Sequence, residues 1–334
     1  MRIFLASSCP VELNPYAPKM LEEFRAVAAA DRVRRHVLTE EPLDSDVIIF
    51  FDNHLNPDWR VRAMVEHPLL KQFPQKCMVH EERPAALGLL PGVYVSMPRR
   101  FFNPQSQRAW CYFKLPEGIP AHPRGTPEFL YSFRGQLGQR ISPAYRLRKS
   151  VLSLRDGRAL IEPVRGFSLI TDHGDPAAQA AMKRRYADTL TEAKYVLCPR
   201  GYATSSFRCY EAMRAGRVPV ILADEWVPPE GPNWEKFAIF VPEDQVADIP
   251  DILRAAEPKW EAMAAGALAA FNEYFAPDVN WHNLMEQFRI LRESNPVVDP
   301  NLIARRARAV GREQLVSRIW GNAAETAKRL GLKK

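Results

Sequence analysis

The residues best suited to chemistry lie between Tyr195 and Ile221, in the stretch YVLCPRGYATSSFRCYEAMRAGRVPVI. An apolar run ends at Cys198-Pro199, the chain turns through Arg200-Gly201, and a helix is expected to start near Thr204 or Ser205, both good N-cap residues. A helix start offers unsatisfied N–H groups and a positive dipole end, which together attract anions. Ser205, Ser206 and Arg208 add side-chain donors there, and Arg200 stands beside them in the loop. These are the parts of a diphosphate site; a capped helix with a surface arginine is the alternative. Glu211 follows Arg208 by three residues and shares its helical face. It either accepts ribose hydroxyls from a nucleotide or forms an i,i+3 ion pair with Arg208 or Arg214, and spacing alone favours the ion pair.

Such a site needs elements to hold it. Apolar runs at Arg2 to Ser7, Asp46 to Asp52, Lys76 to His80 and Gly92 to Ser96 read as strands, and Lys19 to Ala30 as a helix. LPEGIPAHPRGTP, from Leu115 to Pro127, breaks all periodicity with four prolines and two glycines and reads as a hinge. Beyond it, strands are expected at Phe129 to Phe133, Phe167 to Thr171, Tyr195 to Cys198 and Val218 to Leu222. Helices are expected at Pro143 to Leu154, Pro176 to Thr191, Ile249 to Ala255, Trp260 to Phe275, Trp281 to Glu293 and Leu302 to Leu330. Strands alternating with helices predict an open α/β sheet on each side of the hinge, with ligands beyond the carboxyl ends of the strands. The division is 1–120, an N-terminal Rossmann-like domain, 121–300, a C-terminal α/β domain that carries the diphosphate site, and 301–334, a helical extension.

Composition bounds the rest. The 334 residues are 46% hydrophobic and 25% charged, the profile of a globular two-domain chain. The net charge is +7, and 34 of the 46 basic residues are Arg, which leans toward phosphate or carboxylate recognition or reflects codon usage. No basic stripe interleaved with aromatics appears, so nucleic acid is not expected as a partner. Five scattered cysteines without CxxC spacing fit a reducing compartment, and the absence of any run of 18 apolar residues predicts a cytoplasmic chain. The basic run from Ala304 to Arg312 offers a peripheral contact to anionic lipid at the inner membrane face, or a solvated helix face.

The segment CPRGYATSSFRCYEAMRAGRVPVILADEWVPPEGPNWEKFAIFVPED resembles the C-terminal signature of exostosin-type glycosyltransferases, glycosyltransferase family 47. Cys198, Pro199, Gly201, Ser205, Ser206, Arg208, Glu211, Ala212, Gly216, Pro219, Val220, Asp224, Pro228 and Trp234 fall in the family's order. Arg217-Val218 depart from it, standing where many members carry Cys-Ile. The resemblance implies a GT-B architecture, two Rossmann-like domains facing across a cleft with a C-terminal helix packing back on the first. It implies an inverting transfer of a sugar from a UDP- or GDP-sugar to a glycan or lipid-linked acceptor in polysaccharide biosynthesis. A fucosyltransferase-like enzyme using a GDP-sugar and a non-catalytic two-domain protein binding a phosphorylated ligand are the alternatives.

No DxD triplet is present, Asp172-His173-Gly174-Asp175 having the wrong spacing, so no metal cofactor is expected. The leaving diphosphate is then assigned to Arg134, Arg200, Arg208 and the helix start around Gly201, Ser205 and Ser206. A base must take the acceptor's proton. Glu82, in Glu82-Arg83-Pro84, resembles the Glu-x-Pro element that supplies the base in fucosyltransferase-like enzymes, and Asp52 beside His54 is the second choice. Trp234 reads as core rather than as a donor contact. His36, His67, His122 and His282 show no metal spacing and read as structural or exposed.

Overall fold

The computed structural model describes residues 1–296 apart from 9–10, 13–14, 52–62, 65, 85, 87, 117–125, 139–141, 143 and 165–174. The strand expected at Phe167 to Thr171 and the helix expected at Leu302 to Leu330 lie outside the described residues, as does most of the Leu115 to Pro127 hinge.

The first half of the chain is built as β1 (Arg2–Ala6), α1 (Ala17–Ala30), β2 (Val37–Leu38), β3 (Val47–Phe50), α2 (Pro68–Gln72), β4 (Cys77–Glu81), β5 (Gly92–Tyr94) and β6 (Gln107–Ala109). Its strands form one parallel sheet in the order β2-β1-β3-β4-β5-β6. β3 and β4 are buried at every position, which is why they read as continuous apolar runs instead of alternating ones. Gly92 is required where it stands. A Cβ there would come within 2.1 Å of the Val79 carbonyl oxygen on the neighbouring strand, too close for any side chain.

The second half runs β7 (Phe129–Gly135), α3 (Tyr145–Leu152), β8 (Ala159–Pro163), α4 (Pro176–Thr191), β9 (Ala193–Pro199), α5 (Phe207–Arg214) and β10 (Val218–Leu222). It continues with β11 (Ile239–Phe240), α6 (Ile249–Ala256), α7 (Trp260–Ala270) and α8 (Asn280–Glu293). This sheet is also parallel, in the order β11-β10-β9-β7-β8. The chain enters at β7, goes to β8 on one side and then to β9 on the other, so the strand order reverses between β7 and β9. Ligands of open α/β sheets bind at such a reversal, outside the carboxyl ends of the strands.

These two parallel α/β sheets, linked by residues 110–128, form the two-domain arrangement expected of a GT-B chain; the closing helix expected to pack back on the first domain lies outside the described residues, and α8 packs there. It packs on β5, β6 and α1. One apolar cluster runs from Ile3, Phe24 and Val93 of the first sheet to Tyr210, Met213 and Ile221 of the second, with Trp281, Leu284 and Phe288 of α8 between them. The junction also has a polar pin. The fully buried Asn280 accepts from Trp110 Nε1 at 2.9 Å and donates to the Tyr112 and Phe113 carbonyls at 3.0 and 3.1 Å. Arg99 reaches across as well, its main-chain N–H and its guanidinium donating to the Glu225 and Trp226 carbonyls at 2.8 Å each. No helix among the described residues is long and apolar enough to cross a membrane.

Candidate functional site

The reversal point of the second sheet is where the chemistry-bearing residues collect. β7 ends in Arg134-Gly135 and β9 in Cys198-Pro199, and the chain passes from β9 through 200–206 into α5, which starts at Phe207. Ser206 is the N-cap, in extended backbone, but its hydroxyl makes no capping bond, so the first turn of α5 keeps its N–H groups free of a side-chain cap. Thr204 and Ser205 just before it are buried; the Thr204 hydroxyl has no hydrogen-bond partner, and Ser205 lies against the Tyr112 and Tyr210 hydroxyls.

Arg208 is buried directly behind them. Its guanidinium lies over the Phe133 ring at 4.6 Å and near the Tyr186 ring at 5.6 Å, and one Nη donates to the Arg134 carbonyl at 2.8 Å. Its Nε has no partner. Beside it stands Arg148 of α3, which donates to the Arg200 carbonyl at 3.0 Å and the Gln136 carbonyl at 3.1 Å. Burial pushes the Arg148 pKa down to about 10, and the neighbouring Arg208 charge adds to the effect. Among the described residues neither guanidinium has a carboxylate within ion-pair distance. Two neighbouring cations largely withdrawn from water with no carboxylate in ion-pair contact are costly unless an anion joins them. Gly201 leaves the space this requires, since a Cβ there would press on an Arg148 Nη at 3.3 Å.

Arg134 and Arg200 stand at this end of the sheet, but their guanidinium groups are engaged elsewhere. Arg134 is paired with Glu162, which also holds Arg185. Arg200 is paired with Glu243 through contacts of 2.6 and 3.1 Å. Each offers the site a carbonyl rather than a free charge. The guanidinium without an ion pair among the described residues is instead that of Arg148, which the sequence shows only as one basic residue of an Arg-rich helix.

Glu211 is buried one turn into α5, and neither i,i+3 ion pair forms. The carboxylate instead accepts from the Tyr186 hydroxyl of α4 at 2.5 Å, and its other oxygen has no partner. Burial raises its pKa, against the opposing effects of the Tyr186 bond and of Arg208 and Arg214. An unpartnered acceptor one turn from unpartnered donors suits a ribose next to a diphosphate.

On the facing domain, Glu82 follows β4. One of its oxygens accepts from Phe113 N–H at 2.6 Å, and His80 Nε2 lies 3.8 Å away. Burial pushes the Glu82 pKa up to about 8, the Phe113 bond opposing and Glu23 adding to the rise. His80 is neutral, its pKa driven down to about 3 by burial. Tyr112, adjacent to Phe113, stacks on Phe207 at the start of α5 with ring centroids 3.7 Å apart, and this contact connects the Glu82 loop to the arginine cluster's end of the second sheet. Glu81 is not available, being buried and paired with Arg83. Asp52 and His54 lie outside the described residues. Trp234 is core, donating from Nε1 to the Pro229 carbonyl at 2.8 Å and packing against Trp226 and Phe237.

A family model described as the exostosin GT47 domain matches residues 93–256, which contain every residue of the donor-side cluster. Similar curated proteins include the exostosin-1 homolog of Caenorhabditis elegans, 39% identical over 70 residues, 20% of this chain and 18% of that protein. Exostosin-2 of Bos taurus is 31% identical over 121 residues, 34% of this chain and 17% of that protein. A probable β-1,4-xylosyltransferase of Arabidopsis thaliana is 35% identical over 89 residues, 26% and 19% of the two chains. The exostosin match therefore spans less than a fifth of each of these relatives' length. Among solved structures, WaaG, a glycosyltransferase involved in lipopolysaccharide biosynthesis, aligns over 87% of this chain and 99% of its own at 10% identity and a TM-score of 0.38.

Proposed function

We propose that this chain is an inverting, metal-independent glycosyltransferase that moves a sugar from a UDP- or GDP-sugar to a glycan or lipid-linked acceptor in polysaccharide biosynthesis. The carrying observation is the pair of neighbouring arginines, buried Arg208 and half-buried Arg148, neither in an ion pair among the described residues, behind the uncapped start of α5. The exostosin match over the same residues, and the naming of one relative as a probable xylosyltransferase, support sugar transfer.

In this reading the donor's diphosphate lies against Arg208, Arg148 and the 205–207 main chain, and Glu211 accepts from the ribose. Residues 1–120 present the acceptor and 121–300 hold the donor. The acceptor hydroxyl attacks the anomeric carbon, forming the new glycosidic C–O bond as the C–O bond to the diphosphate breaks. Glu82 takes the hydroxyl proton. The two arginines balance the charge that grows on the leaving diphosphate, which is the task a metal ion performs elsewhere. A carboxyl with a pKa near 8 is well matched to a base working close to neutrality.

A thermal-shift panel of UDP- and GDP-sugars, repeated with chelator present, tests the reading. The expected result is a rise in melting temperature with one nucleotide class that chelator does not reduce, together with release of that nucleotide when acceptor glycans are added. A flat response to the whole panel overturns it.

A further inference from the structure

At the opposite side of the first domain, three residues far apart in sequence meet. His36 lies between α1 and β2, at the edge of the first sheet, while His282 and Glu286 sit one turn apart on the same face of α8. One donor atom from each lies within 4.8 Å of the other two. His36 Nε2 is 3.0 Å from a Glu286 oxygen, and the two imidazole rings are 5.2 Å apart between centroids. We propose that His36, His282 and Glu286 bind one zinc-type divalent cation that fastens α8 to the edge of the N-terminal sheet.

The hydrogen bonding points to a missing partner. The His36 side chain is 2% exposed, yet its Nδ1 has no hydrogen-bond partner and its Nε2 meets only the Glu286 carboxylate. Nδ1 of His282 is likewise buried and unpartnered. Buried polar atoms are almost always satisfied, so orphaned nitrogens on two converging imidazoles mark a place for a ligand. Tetrahedral zinc with bonds of about 2.0–2.2 Å sets its donors roughly 3.4 Å apart, a modest adjustment from present spacings that run from 3.0 Å to at most 4.8 Å.

The surroundings suit ligation. Arg289 Nε donates to the second Glu286 oxygen at 2.8 Å, orienting the carboxylate and leaving its first oxygen turned to the histidines. The Arg32 N–H donates to the Asp278 carbonyl at 2.9 Å, bringing the two segments together without the cation. Two imidazoles and one carboxylate select zinc-type ions over magnesium or calcium. The site lies apart from the arginine cluster, so it calls for no metal in sugar transfer.

The test uses the full chain, stripped with chelator and titrated with Zn²⁺ and with Co²⁺ alone. One equivalent of zinc should bind and raise the melting temperature. Cobalt should give visible d–d bands without the near-ultraviolet charge-transfer band of a thiolate. His282→Gln and Glu286→Gln, at half-exposed positions where the fold is retained, should each weaken zinc at least tenfold and remove the thermal shift. No stoichiometric binding, unchanged affinity in both variants, or a thiolate band would each overturn the proposal.

Discussion

Replacing Arg148 with methionine separates a ligand site from a structural clamp, because the two roles shift ligand-free stability and nucleotide affinity differently. Keeping Arg148 charged in its buried position lowers its pKa to about 10 from the ordinary 12.5. At about 1.4 kcal/mol per pKa unit, that is a penalty on the order of 3 kcal/mol that methionine removes. Against this, the Arg200 and Gln136 carbonyls lose charge-assisted donors, at roughly 1.5–3 kcal/mol for each such bond. The terms are of similar size, so the ligand-free variant should melt within a few degrees of the parent, about 2 °C of shift corresponding to each kcal/mol in a chain of this length.

Nucleotide binding has no such compensation. Losing one arginine contact to a diphosphate costs roughly 1.5–3 kcal/mol, which is a 10- to 150-fold rise in Kd. Nucleotide at 100 times the parent Kd stabilises the parent by about 2.7 kcal/mol, and the variant should retain about half of that or less. Calorimetric titration with UDP and GDP, alongside melting curves with and without nucleotide, reads both quantities. Unchanged affinity in Arg148→Met would refute the anion site, and a ligand-free melting point lower by ten degrees or more would show that Arg148 is a clamp.

Three further outcomes follow from the geometry. Glu82→Gln should abolish transfer while stabilising the protein in alkaline buffer. Above pH 4.5 the unfolded carboxyl releases its proton and the folded one holds it until about pH 8, so the parent loses stability across that window, by up to about 5 kcal/mol, and the amide does not; denaturant titrations at pH 4.5 and 8.5 measure the difference. Transfer by the parent should rise with pH and level off near 8, and a flat profile would remove Glu82 as the base. Asn280→Ala leaves Trp110 Nε1 and two main-chain carbonyls unpaired in the junction, and denaturant unfolding should show a loss of about 3 kcal/mol or more.

Much of the frame is legible in the sequence, and what escapes it has physical causes. β3, β4, β9 and β10 are buried, largely apolar runs that read as strands directly. β6 is Gln-Arg-Ala and β8 is an edge strand of half-exposed residues, and neither carries a pattern that separates it from a loop. Around the site, Arg208, Glu211 and the serines announce themselves through their spacing at a helix start. The state of each charge does not: Arg134 and Arg200 are neutralised by Glu162 and Glu243, 28 and 43 residues away, while Arg148 is left unpaired. Tyr186, the partner of Glu211, sits on a different helix with no local signature. The meeting of His36 with His282 depends on where α8 returns, which pairwise spacing along the chain cannot express.

That return has a consequence during synthesis. The first sheet is complete in sequence by residue 109, but Trp110 keeps an unpartnered indole N–H, and the α1 and β5 faces stay uncovered, until Asn280 and the rest of α8 have been made. The nascent N-terminal half thus leaves the ribosome with an open apolar flank for the time it takes to translate some 180 further residues. Cells producing the chain truncated before Asn280 should accumulate it bound to chaperones or in aggregates, however well its own six strands pair.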